Sequence, residues 1–193
     1  MPYTLAIPTQ LTEEIKKSRF IVNAAPVISA EQAAQFIDSI SDPNATHNCW
    51  AWKIGQQYRF NDDGEPTSTA GRPILSAIEG QDCDQVVVVI TRYFGGIKLG
   101  TGGLIRAYGG SASHCLQQAT LIELIARITL QFHCYYNEWP IIENRLKELD
   151  AIIENQEFDA EGVKVSVAIT KDNSVILQKN ISDITRGRVN ITL

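Results

Sequence analysis

The chain of 193 residues carries 22 acidic and 17 basic side chains, a formal net charge of −5, and 44% of its residues are hydrophobic. That length supports one or two domains with a real core. The acidic balance excludes bulk electrostatic attraction to nucleic acid, so any phosphate contact has to come from a local patch.

No apolar run is long enough for a membrane span. The N-terminal "MPYTLAIPTQLTEEIKK" lacks the basic and apolar regions of a signal peptide, and a cytoplasmic protein is expected. Taken in chain order, "YTLAI" and "SRFIVNAAPVI" read as strands, with "LTEEIKK" between them as a turn or a single helical turn. "SAEQAAQFIDSIS" is predicted as a helix capped by Ser29, with Gln32 completing a capping box and Ala33, Phe36, Ile37 and Ile40 at helical spacing. "CWAWKIG" and "QQYRFND" form a hairpin around Gly55, "DDGEPTSTAGRP" a loop, and "ILSAIEG" a short helix starting near Pro73. "VVVVI", apolar at every position, is a central strand covered on both faces. From Thr101 to about Ala119 the pattern is helical, with Leu104, Tyr108, Ala112, Cys115 and Ala119 in one stripe. Gly109 and Gly110 cost that helix about 1 kcal/mol each relative to alanine and are expected to let it pack closely on the sheet.

The remainder reads as strand "ARITLQFHCYY", helix "NEWPIIENRLKELD" with Ile141, Ile142, Leu146 and Leu149 inward, strands "AIIENQEF" and "VKVSVAIT", helix "KDNSVILQKNISDIT" and final strand "RVNITL". This β-α-β-β-α-β order is that of a ferredoxin-like unit. The expected class is α+β, with an N-terminal domain over 1–125 and a ferredoxin-like domain over 126–193, the boundary lying near 121–128.

The segment "RYFGGIKLGTGGLIRAYGG", residues 92–110, lies in a stretch with no acid between Asp84 and Glu123. A buried strand runs through a glycine turn into a helix that opens on Gly100-Thr101-Gly102-Gly103. The first amides of a helix lack intrahelical partners and its dipole is positive there. Thr101 is expected to cap one amide, while Gly102 and Gly103 leave the others unobstructed. With Arg92, Lys98 and Arg106 nearby, these are the parts of an anion site for phosphate or nucleic acid. Thr101-Gly102 stands where a P-loop needs Lys-Ser/Thr, and Ile105 takes the third glycine of a dinucleotide fingerprint, so both nucleotide motifs are excluded. The structural reading stands beside the functional one: the glycines shape a turn and a close packing contact.

A second candidate loop holds Asp62, Asp63 and Glu65, followed by Thr67, Ser68 and Thr69. Carboxylates with hydroxyls can hold a divalent cation. Turn chemistry, with the hydroxyls capping the next helix, accounts for the same residues. His47 and Cys49 are too few for zinc, the scattered Cys49, Cys83, Cys115 and Cys134 are expected to be reduced, and no catalytic residue, metal or cofactor is assigned.

"DDGEPTSTAGRPIL" followed by "VVVVITRYFGGIKLGTGGLIRAYG", together with "EEIKKSRFI" and "ATHNCWAW", resembles the signature of the YigZ/IMPACT family over most of residues 12–119. "YYNEWPIIENRL" and "ITRGRV" resemble its bacterial branch. The resemblance implies an N-terminal domain similar to domain 2 of small-subunit ribosomal protein five and a C-terminal domain similar to one of elongation factor G. It also implies a role in regulating translation. Eukaryotic relatives exert that role through an additional N-terminal domain absent from this sequence. The expectation is a non-catalytic protein contacting RNA, the ribosome or a translation-associated protein through the basic glycine-rich surface, with no membrane partner. The alternatives are an enzyme acting on a phosphorylated small molecule, which requires the two loops to converge, and a protein-only interaction module.

Overall fold

The computed structural model describes residues 2–189 and Ile191. The protein is a mixed α/β chain that divides into two compact units, the first ending at Leu124 and the second beginning at Ile125.

The first unit is built on a five-stranded antiparallel sheet. Its strands are β2 (Thr9–Ile15), β3 (Ser18–Pro26), β4 (His47–Ile54), β5 (Gln57–Asn61) and β6 (Val86–Tyr93), in the order β2-β3-β6-β4-β5. The central β6 is buried along Val86–Arg92, as a strand covered on both faces must be. Val86, Val88 and Ile90 join the core beneath α2 (Gly71–Gly80) and α3 (Thr101–Gln118). Val87 and Val89 alternate to the other face and pack with Trp52, Ala25 and Ala33 of α1 (Ala30–Ile40). A short ribbon of β1 (Tyr3–Leu5) with β7 (Leu121–Glu123) ties the ends of the unit together.

Helix α1 starts as its sequence dictates: Ser29 Oγ accepts the Gln32 amide at 3.3 Å, while Gln32 Oε1 reaches back to the Ile28 amide at 3.0 Å. The segment "LTEEIKK" differs from expectation. It is strand β2, closed onto β3 by a turn in which Lys16 and Lys17 have φ of 46° and 64°. Leu11, Glu13 and Ile15 alternate toward the molecule, a period of two that the charged run masked. Glu13 accepts hydrogen bonds there from Ser111 Oγ at 2.6 Å and His114 Nδ1 at 2.8 Å.

The buried stripe of α3 is the expected one: Leu104, Tyr108, Ala112 and Cys115, joined by Ala107, Ser111 and Leu116. Its central glycines do not serve the sheet. A Cβ on Gly109 would stand 3.5 Å from Pro73 of α2, a helix–helix contact, and one on Gly110 would meet nothing within 4 Å.

The second unit holds β8 (Arg127–Tyr135), α4 (Trp139–Glu148), β9 (Ile152–Phe158), β10 (Gly162–Thr170) and α5 (Lys171–Ile184), with sheet order β8-β10-β9. Val163, Val165, Val167 and Ile169 face Ile142 and Leu146 of α4 and Leu177 and Ile181 of α5. Ile141 is 53% exposed, contrary to its predicted inward position, because Ile142 and Leu146, four apart, take the buried line. Of the final strand expected at 188–193, Arg188 and Val189 are not in a strand, and residues 190, 192 and 193 lie outside the described residues. The acidic run from Glu148 to Glu161 lies along and beside β9, which among the described residues pairs only with β10, and the turn into β10. Asp159 holds that turn by accepting the Glu161 and Gly162 amides, both at 2.8 Å. No helix among the described residues is long and apolar enough to cross a membrane.

Candidate functional site

After β6 the chain turns through Phe94–Gly100 into α3. Thr46 Oγ1 accepts the Phe94 amide at 2.9 Å and Ser18 Oγ the Gly95 amide at 3.2 Å. A Cβ on Gly95 would lie 1.9 Å from the Lys17 carbonyl oxygen, so only hydrogen fits where the turn meets the β2–β3 hairpin. Gly100, at φ 75°, is the N-cap of α3 and carries no side chain to cap with. This corrects the expected role of Thr101, which lies inside the first turn.

The first helical hydrogen bond runs from the Leu104 amide to the Gly100 carbonyl at 2.9 Å. Among the described residues the amides of Thr101, Gly102 and Gly103 have no acceptor. Arg106 folds over this end, its Nη1 3.6 Å from where a Cβ on Gly102 would stand. Lys98 is exposed just before it.

A cleft of about 340 Å³ opens at the helix start. Lys98, Leu99, Gly100, Thr101 and Leu104 line one side, and Thr46, His47, Glu65, Pro66, Arg92 and Phe94 the rest. Four of the predicted anion-binding residues therefore share a cavity with one residue of the second loop. Gly102, Gly103 and Arg106 are outside its lining, next to it along α3.

Arg92 differs most from expectation. It is a buried ion-pair partner rather than an exposed phosphate ligand, 5% exposed, donating from Nη1 to Glu65 and from Nη2 to Ser18 Oγ at 3.4 Å. Its guanidinium carbon lies 5.5 Å from the centre of the Phe20 ring and 5.6 Å from that of Phe94. Register explains the burial: Arg92 pairs with Phe20 of β3 and His47 of β4, near the ends of the sheet's three central strands.

Glu65 gathers the polar floor of the cleft. It also accepts from the Tyr108 hydroxyl at 2.8 Å and lies 3.7 Å from His47 Nε2. His47 Nδ1 donates to the Asp63 carbonyl at 2.7 Å, since a carbonyl can only accept. Cys49 donates to the Asp62 carbonyl at 3.0 Å. Burial first, and the acids of this loop after it, push the Cys49 thiol up to about 12 against the Tyr108 hydrogen bond. Burial likewise raises Tyr108. Both stay protonated, and neither is a nucleophile at neutral pH.

The other residues of the second loop build structure. Asp62 Oδ1 accepts the Ala70 and Gly71 amides at 3.1 and 2.8 Å, and Oδ2 the Ser68 amide at 2.8 Å. The cap of α2 is thus this distant carboxylate and not the expected hydroxyls. Asp63 Oδ2 accepts the Asn48 amide at 2.6 Å, Thr69 Oγ1 donates to the Pro66 carbonyl at 2.6 Å, Thr67 is exposed, and Ser68 faces a separate groove between α2 and α3. The loop and the glycine turn meet, but each of its three carboxylates already holds protein groups.

Sequence reasoning missed Thr46, Phe94 and Leu104 as cleft residues, and it read His47 only as half of a metal pair. The available signal was the family signature, whose "ATHNCWAW" holds Thr46 and His47 and whose "VVVVITRYFGGIKLGTGGLIRAYG" holds Phe94 and Leu104.

Two family models match the chain: "Impact N-terminal domain" over residues 16–116 and "Domain of unknown function (DUF1949)" over 132–188. The "IMPACT family member in pol 5'region" of Thermus thermophilus is 42% identical, over 91% of this chain and 97% of its own. "IMPACT family member YigZ" of Escherichia coli is 37% identical, over 96% and 94%. A solved structure described as "Crystal structure of an hypothetical protein" is 36% identical and superposes with a TM-score of 0.74, covering 98% of this chain and 95% of that one. With its signature on the glycine turn and the Glu65 loop, and relatives alike along nearly their whole length, the chain belongs to the IMPACT family.

Proposed function

We propose that this protein is a non-catalytic, cytoplasmic, translation-associated binding protein that contacts RNA through the cleft at the start of α3. One observation carries the reading: three successive unpartnered amides lie at a helix N-terminus flanked by Lys98 and Arg106. Helix termini of this kind bind phosphate oxygens through the amides and the dipole together. The exposed Lys16 and Lys17 extend the positive surface, since the Lys17 carbonyl packs on Gly95. Membership of the IMPACT family supports the link to translation, as the signature implies.

For the fold, we infer that residues 1–125 form a domain like domain 2 of small-subunit ribosomal protein five and 126–193 a ferredoxin-like domain like one of elongation factor G. The β-α-β-β-α path with sheet order β8-β10-β9 supports the second assignment.

The test is binding of single-stranded RNA to the full chain across a salt series. Affinity should fall linearly in log–log form, and Lys98→Ala and Arg106→Ala should each make the slope shallower by about one unit. Absence of binding at low salt, or slopes unchanged in both variants, refutes the reading.

A further inference from the structure

The sheet of the first unit ends on an undefended strand. β5 is its last strand and, among the described residues, pairs with β4 alone. All five of its residues are exposed, and five is an ordinary strand length. An edge of this kind presents a row of unpaired amides and carbonyls, and proteins that stay monomeric defend it with lysine, proline or a bulge. β5, Gln57-Tyr58-Arg59-Phe60-Asn61, has none of these: its register with β4 is unbroken and its one charge is Arg59. Gly71 closes on the Asn61 backbone, which leaves 57–60 as the open stretch. Within it Tyr58 is 51% and Phe60 37% exposed.

Beside this edge one face of the sheet is hollow. Helix α1 packs on β6 and β4, and a groove of about 440 Å³ lies between it and β5. Trp50 and Trp52 of β4 line the groove with Ala30 and Ala34 of α1. Trp52 stands directly across from Arg59 in the register, so Arg59 shares the tryptophan face while Tyr58 and Phe60 point to the other. Asp38 of α1 lines the same groove as Arg59, and neither charge has an ion-pair or hydrogen-bond partner on its side chain among the described residues. One unpaired acid and one unpaired base in a single depression make a surface complementary to itself. They offer a polyanion no net attraction, which sets this groove apart from a nucleic-acid site.

We propose that β5 is the interface of a homodimer. Two copies join antiparallel through their β5 edges about a two-fold axis, so that one sheet runs through both chains. The added strand covers Tyr58 and Phe60 on one face. On the other face, Arg59 of each chain pairs with the partner's Asp38 over the tryptophan groove. An isologous contact of this kind uses the same patch twice and closes at two subunits. The inference does not depend on the RNA reading.

Sedimentation velocity of the full chain from about 1 to about 200 μM tests it. The weight-average mass should rise with concentration from one chain to two and stop there. Tyr58→Lys places a charge on the edge and should raise the midpoint concentration at least about tenfold. Arg59→Asp and Asp38→Arg should each do the same, and the double variant Arg59→Asp/Asp38→Arg should return the midpoint to within about threefold of wild type. Melting of every variant at about 1 μM, where the chain is a monomer, should match wild type, which separates loss of the dimer from loss of the fold. A single-chain mass at every concentration overturns the proposal, whatever other protein the edge captures. A dimer that Tyr58→Lys leaves intact overturns the assignment of the interface to β5. A dimer weakened by all three single variants and not restored in the double variant overturns the exchange of Arg59 and Asp38.

Discussion

Arg92 and Glu65 form a buried pair between β6 and the loop before α2, and the cost of such pairs is asymmetric. Both charges are desolvated, so removing one partner strands the other. Glu65→Ala and Arg92→Ala should each destabilise the protein by about 3–5 kcal/mol in urea denaturation, and the double variant by less than their sum. Loss of RNA binding in Arg92→Ala is therefore interpretable only in protein shown to be folded. Glu13 provides a separate test through pH. Burial alone would raise its carboxyl, but hydrogen bonds from Ser111 and His114, with the His114 charge, outweigh that and hold it below its ordinary 4.5. A carboxylate depressed in the folded state adds stability that is present above its unfolded value and lost as pH falls. The wild-type chain should lose stability below about pH 4.5 more steeply than Glu13→Gln, as read from melting curves over pH 2–6.

At the scale of elements, the β2–β3 hairpin carries a visible conflict. Its two turn residues occupy the left-handed region, where Asn-Gly is favoured and a side chain costs roughly 1–2 kcal/mol. Lysines stand there instead, exposed, against the glycine turn that leads to α3. Strained backbone of this kind clusters at ligand-binding sites. Lys16→Asn with Lys17→Gly should stabilise the protein by about 1 kcal/mol in chemical denaturation and, if these charges reach RNA, weaken binding at low salt. The α2 cap is the other element-level test. Asp62→Ala removes the acceptor of three amides and should cost about 1–2 kcal/mol. That cap was hidden in the sequence because Asp62 lies nine positions before Gly71, beyond the window in which capping residues are sought. Ser29 with Gln32 was visible because that pattern is local.

Over the whole molecule, the two units carry separate cores, and cysteines report on each. Cys49, Cys83 and Cys115 are buried in the first unit and Cys134 in the second. Burial raises the last three thiols to about 11. The native protein should therefore resist thiol reagents at pH 8, and labelling should appear with unfolding, Cys134 tracking the second unit and the other three the first. Mass spectrometry after pulse labelling in a urea series measures both. Labelling of native protein at the rate of free cysteine would contradict the burial.

By itself the sequence determined the helices, most strands, the buried character of β6 and the glycine-rich start of α3. These follow from periodicity, caps and backbone freedom, which act over a few residues. The tertiary structure alone decided that Arg92 faces inward to Glu65, that His47, Phe94 and Pro66 complete a cleft with Lys98 and Thr101, and that Asp62 caps a distant helix. The Asp62 cap joins residues 8 positions apart and the Arg92–Glu65 pair residues 27 apart. Strand register and helix packing set them, and neither is encoded in the spacing of any single segment.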